Sequence, residues 1–199
     1  MKFLKTLLIG LIGVFVLLAI AGPFLPSSAR VERSIVIERS PALIFPVVNS
    51  FERFNEWSPW HAIDPNAQYS YSGPASGVGA NMKWSGNDQV GTGSQTITAS
   101  EPDKRVAIEL TFGDMTPSQV EMLLAPEGGG TRVTWTLESQ FGYDLAGRYF
   151  GLLMDKFVGA DYEKGLAQLK AVIEKAPVAE GPPPLESANG DEPEPEPTE

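Results

Sequence analysis

The chain has no cysteine, which excludes disulfides, thiolate metal sites, iron–sulfur clusters and a cysteine nucleophile together. It has a single histidine, His61, so no histidine pair, multi-histidine metal site or histidine-dependent triad is in view. No Gly-x-Gly-x-x-Gly joins a strand to a helix, and no Gly-Lys-Ser/Thr occurs, so the usual phosphate cradles are missing. Positive charge is scarce: 15 Lys and Arg stand against 25 Asp and Glu, a net charge of −10. The imbalance is local. Between Pro177 and Glu199 lie seven acidic residues and no basic one, leaving 18 acidic and 15 basic side chains in a nearly neutral remainder. With no basic patch, nucleic acid is not an expected partner.

Hydrophobic residues make up 42% of the 199 residues, with four Trp among them, enough for a real core. The chain reads as three segments: an N-terminal membrane helix (residues 1–28), one folded domain (30–176) and a tail (177–199). Lys2 and Lys5 precede an uncharged stretch from Thr6 to Ala29, long enough for the roughly 20 helical residues that cross a bilayer. Ala19-Ile20-Ala21 has the small-x-small form of a signal-peptide cleavage site, a competing reading. The apolar character resumes beyond it in Pro23-Phe24-Leu25-Pro26, which favours an uncleaved single-pass anchor. Orientation is nearly balanced between Lys2 and Lys5 on one flank and Arg30 and Arg33 on the other. The reading leans to N-in, with an extracytoplasmic domain. In the tail, Gly181-Pro182-Pro183-Pro184 and alternating Glu-Pro from Glu192 to Pro197 read as solvated and disordered rather than as an interaction segment.

Between these segments the periodicity changes twice. Val31 to Glu38 alternates as a strand with Val31, Arg33, Ile35 and Ile37 on one face. Ser40-Pro41 opens a helix with Leu43, Ile44, Val47 and Val48 on its apolar face, and a second helix over Phe51 to Trp57 is expected to stop before Ser58-Pro59. Gln68 to Phe141 then follows a period of two in six short strands, separated by Gly- and Pro-containing turns, as in an antiparallel meander. Finally Leu145, Tyr149, Leu152 or Leu153, Phe157, Tyr162, Leu166, Leu169 and Ile173 predict the apolar stripe of one long helix. The expected class is α+β, with the long helix against the concave face of the curved sheet.

Chemistry-bearing residues are few. His61 reads as an exposed loop histidine, Glu109 and Glu121 as charges on the solvent face of the sheet, and Asp144 as an N-cap of the last helix. The glycines at 77, 79, 91, 93 and 128–130 read as hairpin turns and close sheet contacts. No catalytic, metal or cofactor residue is assigned.

Taken in order, Val31 to Ile37 leading to Pro41, Trp57-Ser58-Pro59-Trp60, Tyr71-Ser72-Gly73-Pro74, Gly77-Val78-Gly79-Ala80, Trp84-Ser85-Gly86-Asn87, Gly129-Gly130-Thr131-Arg132-Val133-Thr134-Trp135 and Gly147-Arg148-Tyr149-Phe150-Gly151-Leu152 resemble the SRPBCC superfamily. This START-like group includes the polyketide cyclase/dehydrase-like proteins, and the match is to their membrane-anchored members. The resemblance covers 30–176. It implies a helix-grip fold, in which a seven-stranded antiparallel sheet wraps a long C-terminal helix around a cavity. It implies no single activity. The expected function is therefore membrane-anchored binding of a lipid or other apolar small molecule in an interior cavity; an apolar-lined volume of several hundred Å³ would fit a ligand site. The candidate ligand-binding residues are Trp57, Trp60, Tyr71, Met82, Trp84, Leu110, Met122, Trp135, Tyr149, Leu153 and Phe157, each of which can equally be core. A structural or interaction module of the cell envelope, and a cyclase- or dehydratase-type enzyme, stay open beside it.

Overall fold

The computed structural model describes residues 2–113 and 115–176; the expected disordered tail, 177–199, lies outside the described residues. Helix α1 (Lys2–Ala21) is followed by a 3-10 turn at Gly22–Phe24 and strand β1 (Ser28–Ile37). Next come α2 (Pro41–Val48), a 3-10 turn at Phe54–Glu56 and α3 (Pro59–Ile63). The meander is β2 (Gln68–Ser72), β3 (Asn81–Ser85), β4 (Thr92–Glu101), β5 (Arg105–Phe112), β6 (Ser118–Glu127) and β7 (Gly130–Gln140), and α4 (Leu145–Lys175) closes the fold.

Every strand pair is antiparallel, and the seven-stranded sheet runs β1-β7-β6-β5-β4-β3-β2. Only one pairing departs from sequence order: β1 joins β7, from Ser28 opposite Gln140 to Ile37 opposite Thr131. Because β1 carries Arg33, Ile35 and Ile37 on the face that meets α4, this pairing brings both ends of the domain together. The alternating face of Val106, Ile108, Leu110, Val120, Met122, Leu124, Val133, Trp135 and Leu137 is buried. The outward face keeps Glu109 exposed, whereas Glu121 is half-buried and pairs with Arg105. The architecture is the helix-grip α+β fold.

Three expectations need correction. Leu43 is exposed, and α2 buries Ile44, Val47 and Val48. Ser58-Pro59 does not end a helix but starts one: Ser58 is at the N-cap position of α3 with Pro59 in its first turn, as at Ser40-Pro41. Proline's fixed φ and absent N–H suit the first helical position, so the dipeptide is a start signal here. His61 consequently sits on α3 rather than in a loop, with its Nδ1 buried.

The third correction concerns α4. Its second half buries Tyr162, Leu166, Leu169 and Ile173 as the stripe predicts, but Leu152, Leu153 and Phe157 in the first half are exposed. Stepping back from Tyr162 by three or four residues gives Val158, Met154, Gly151 and Gly147, and this is the face turned inward. The reason is distance. A Cβ on Gly151 would stand 2.6 Å from Cε2 of Phe141, and one on Gly147 would stand 2.6 Å from Oδ2 of Asp144. The helix start lies too close to its neighbours for large side chains to face in.

Polar contacts tie α4 to β1. Arg33 donates from Nη1 to Oδ1 of Asp155 at 2.8 Å and from Nε to Oε1 of Glu163 at 2.7 Å, its guanidinium lying where Gly159 has no side chain. The hydrogen bond from Arg33 holds the Asp155 carboxyl below the usual carboxylate range. A depressed folded-state pKa gives stability that is present above the unfolded value, near 3.9, and lost as pH falls through the folded value. Asp155→Asn is thus expected to flatten the acid side of the stability profile. Thermal unfolding followed by circular dichroism from pH 7 to pH 3 should show wild type falling more than the variant. The difference should be small because both carboxylates face solvent.

Candidate functional site

Between the ends of β3 and β5, the α3 segment and the middle of α4 is a partly open cavity of about 190 Å³. Its apolar wall comes from Trp60 on α3, Tyr69 on β2, Met82 and Trp84 on β3, Leu110 and Phe112 on β5, and Phe157, Val158 and Tyr162 on α4. The volume is below the roughly 300–1,000 Å³ of drug-sized ligand sites and above the roughly 150 Å³ cavity that admits benzene. It falls short of several hundred Å³, because Trp57, Met122 and Trp135 fill the interior behind the wall.

The wall is held by ring packing and short polar ties. Trp135 stacks on Tyr162, with ring centres 3.8 Å apart, and meets Trp57 and Trp60 edge-on at 5.1 and 5.9 Å. On the opposite side Trp84 meets Phe112 edge-on at 5.4 Å across Gly93, the residue paired with both. The Trp84 indole N–H donates to the Val90 carbonyl at 3.3 Å. Buried Asp64 accepts the Asn66 N–H at 3.1 Å and the Asn87 N–H at 2.7 Å, fastening the end of α3 to the β3–β4 loop. Asp64 and Gly93 shape the site. Gly93 makes the close sheet contact that a glycine inside a strand signals; Asp64 offered only a turn-forming Asp-Pro.

Of the candidate residues, Trp60, Met82, Trp84, Leu110 and Phe157 meet at this cavity. Trp57, Met122 and Trp135 are buried in the core behind it. Tyr71, two residues beyond Tyr69 on β2, borders a separate groove beside Phe51 and Pro74. Tyr149 donates its hydroxyl to the Leu18 carbonyl of α1 at 2.8 Å, and Leu153 is exposed. Tyr69, Phe112 and Tyr162 take wall positions without being among the candidate ligand-binding residues.

Electrostatically the wall holds one carboxylate, Asp161, near the Lys164 ammonium at 3.4 Å, and no Lys, Arg or His. Burial pushes the Tyr162 phenol far above its ordinary value and raises that of Tyr69, so both are neutral donors. Among the described residues, the buried side-chain polar atoms without a hydrogen-bond partner are Asn55 Oδ1, Trp57 Nε1, Ser58 Oγ and His61 Nδ1, all within one short segment of which Ser58 lines the cavity. Each such orphan costs about 1–3 kcal/mol. Among the described residues no group of three or more His, Asp or Glu is placed to hold a metal ion. The arrangement can enclose a small apolar body and offer it a few neutral hydrogen-bonding groups. It brings no acid–base pair together, since His61 is off the wall.

The fold recurs in solved structures. The Aha1 dimer of Colwellia psychrerythraea is 20% identical with a TM-score of 0.52, covering 74% of this chain and 97% of its own. The protein of unknown function SA2116 of Staphylococcus aureus is 14% identical with a TM-score of 0.57, covering 74% of this chain and 94% of its own. DynU16, from the dynemicin biosynthetic locus, is 16% identical with a TM-score of 0.52, over 73% of this chain and 47% of its own. At these identities the likeness is one of fold. No curated protein matches the sequence. A family model described as polyketide cyclase/dehydrase and lipid transport matches residues 28–174, most of the described chain, and the protein belongs to that family.

Proposed function

We propose that the protein is a membrane-held binding protein for a small apolar guest of about one or two rings. The observation that carries the reading is the partly open apolar cavity of about 190 Å³, walled by Trp60, Trp84, Phe112 and Phe157. The family's description as lipid transport agrees with an apolar cargo. A whole phospholipid does not fit such a volume.

The anchor reading rests on Phe3–Phe24, 22 helical residues long and apolar. At 1.5 Å per residue they span about 33 Å, against roughly 30 Å of hydrocarbon. Two features favour a seated anchor over a loose tether. Tyr149 satisfies the Leu18 carbonyl, one of the last four that a helix leaves unpaired, and Arg148 donates to the carbonyls of Pro23 at 2.8 Å and Leu25 at 3.0 Å. Beside these bonds, Phe24, Tyr143, Phe150, Leu153 and Phe157 are exposed. Large apolar side chains gathered next to a membrane helix suit the headgroup boundary, where aromatic rings accumulate. Phe157 belongs to both this surface and the cavity wall, so a guest dissolved in lipid has a short way in.

The test uses the full chain in lipid nanodiscs, with empty nanodiscs as the partition blank. The chain is expected to co-elute with the discs at high salt and to bind naphthalene saturably above the blank. Leu110→Trp, which fills the cavity, is expected to weaken that binding at least about tenfold. Naphthalene uptake no greater than the blank, or unaffected by Leu110→Trp, ends the proposal.

A further inference from the structure

We infer that the guest carries one uncharged oxygen group, a hydroxyl or a carbonyl, held at the end of the cavity where α3 crosses α4, and that carboxylates are excluded; the inference rests on the cavity reading above.

Two wall residues carry it. Ser58 is only 4% exposed, lines the cavity and has no partner for its Oγ. A serine at a helix N-cap ordinarily spends its hydroxyl on the first turn, but the Ser58 side chain makes no capping bond. Its hydroxyl is thus excused from the structural task its position suggests. Tyr162, 2% exposed, also lines the cavity, and its hydroxyl is neither bonded to a described residue nor wholly buried. Stacking on Trp135 fixes its ring.

These two residues belong to one end of the site, where Trp60 also meets the Tyr162 ring. Pro59, which follows Ser58, packs on α4 at Gly165, where an added Cβ would stand 3.1 Å from the proline Cδ. Gly165 is three residues beyond Tyr162, less than one helical turn. Both hydroxyls donate and accept, so a ligand oxygen at this end can bond either.

Charge narrows the class further. With no Lys, Arg or His on the wall and Asp161 beside Tyr162, a carboxylate guest would lose its hydration next to a like charge and find no counter-ion. A neutral alcohol, phenol or ketone meets no such penalty. Fatty acids and other carboxylates are disfavoured by the same wall that accepts their apolar bodies.

Three probes of nearly equal size separate the possibilities: naphthalene, 2-naphthol and 2-naphthoate, each titrated at pH 7 against the full chain in nanodiscs with empty discs as blank. For wild type, 2-naphthol is expected to bind about tenfold more tightly than naphthalene, and 2-naphthoate at least about tenfold more weakly than 2-naphthol. Tyr162→Phe and Ser58→Ala each remove an unpartnered hydroxyl without changing shape. Each should shrink the preference for naphthol over naphthalene severalfold. Equal binding of naphthol and naphthalene by wild type, or naphthoate binding as tightly as naphthol, overturns the inference and leaves the cavity reading standing. If neither naphthalene nor naphthol binds above the blank, the cavity reading fails and this inference fails with it.

Discussion

Trp135→Ala is expected to lower the unfolding free energy by about 3–5 kcal/mol, the range for deleting a buried tryptophan side chain. Trp135 is buried at the middle of β7, opposite Arg33 on β1 and Met122 on β6. Its ring touches three others, stacked on Tyr162 and edge-on to Trp57 and Trp60. Gly165 is bare where α4 passes over it, since a Cβ there would stand 2.8 Å from Cζ3 of Trp135. The indole is therefore the spacer that sets the height of α3 and α4 above the sheet. Removing it opens a void that neither helix can fill without leaving its other contacts, and the cost of truncation grows with the cavity that remains. Guanidinium titration of the full chain in nanodiscs, followed by far-ultraviolet circular dichroism, reads the loss as a lower midpoint. A decrease under about 1 kcal/mol would remove Trp135 from the centre of the core. Sequence reasoning placed Trp135 among ligand contacts, and the structure buries it behind the cavity wall.

Periodicity made most of the fold legible. Alternation in Val106, Ile108 and Leu110, or in Val133, Trp135 and Leu137, names the buried face of each strand, because successive strand residues point to opposite sides. Turn residues then divide Gln68 to Phe141 into the observed strands β2 to β7. Helix phase was harder to read. Counting large apolar residues along α4 led through Leu152, Leu153 and Phe157, but the inward face of its first half is built from Gly147, Gly151 and Met154. Glycine carries no apolar signal, although here it marks the closest packing. Exposed Leu152, Leu153 and Phe157 supplied a false stripe.

The site was legible by face and not by depth. Tyr69 and Tyr71 share a strand face, yet only Tyr69 reaches the cavity, since alternation says which way a side chain points and not where along the strand the cavity lies. Trp57 and Trp60, three residues apart, end in the core and on the wall respectively. That division depends on α3 starting at Pro59, and the Ser-Pro dipeptide was read as an end.

Gly93→Ala should cost about 3 kcal/mol or more and abolish guest binding, the upper end of what overpacking does. Gly93 is in β4 between Trp84 of β3 and Phe112 of β5, and those rings touch over the space a side chain would occupy. A Cβ there would run into the backbone carbonyl of Thr111 and the six-membered ring of the Trp84 indole. Neither can step aside cheaply: the carbonyl belongs to β5 within the sheet, and the indole is fixed by its hydrogen bond to Val90. Gly159→Ala is the informative contrast. Its new methyl would meet the guanidinium tip of Arg33, which can swing away at the expense of solvent-exposed ion pairs worth little. The two substitutions add the same atom and should separate by about 2 kcal/mol, with loss of naphthalene binding confined to Gly93→Ala. Chemical denaturation with a parallel nanodisc titration makes the comparison. If Gly93→Ala folds as stably as Gly159→Ala and still takes up naphthalene, then the Trp84–Phe112 pair is not what shapes the cavity.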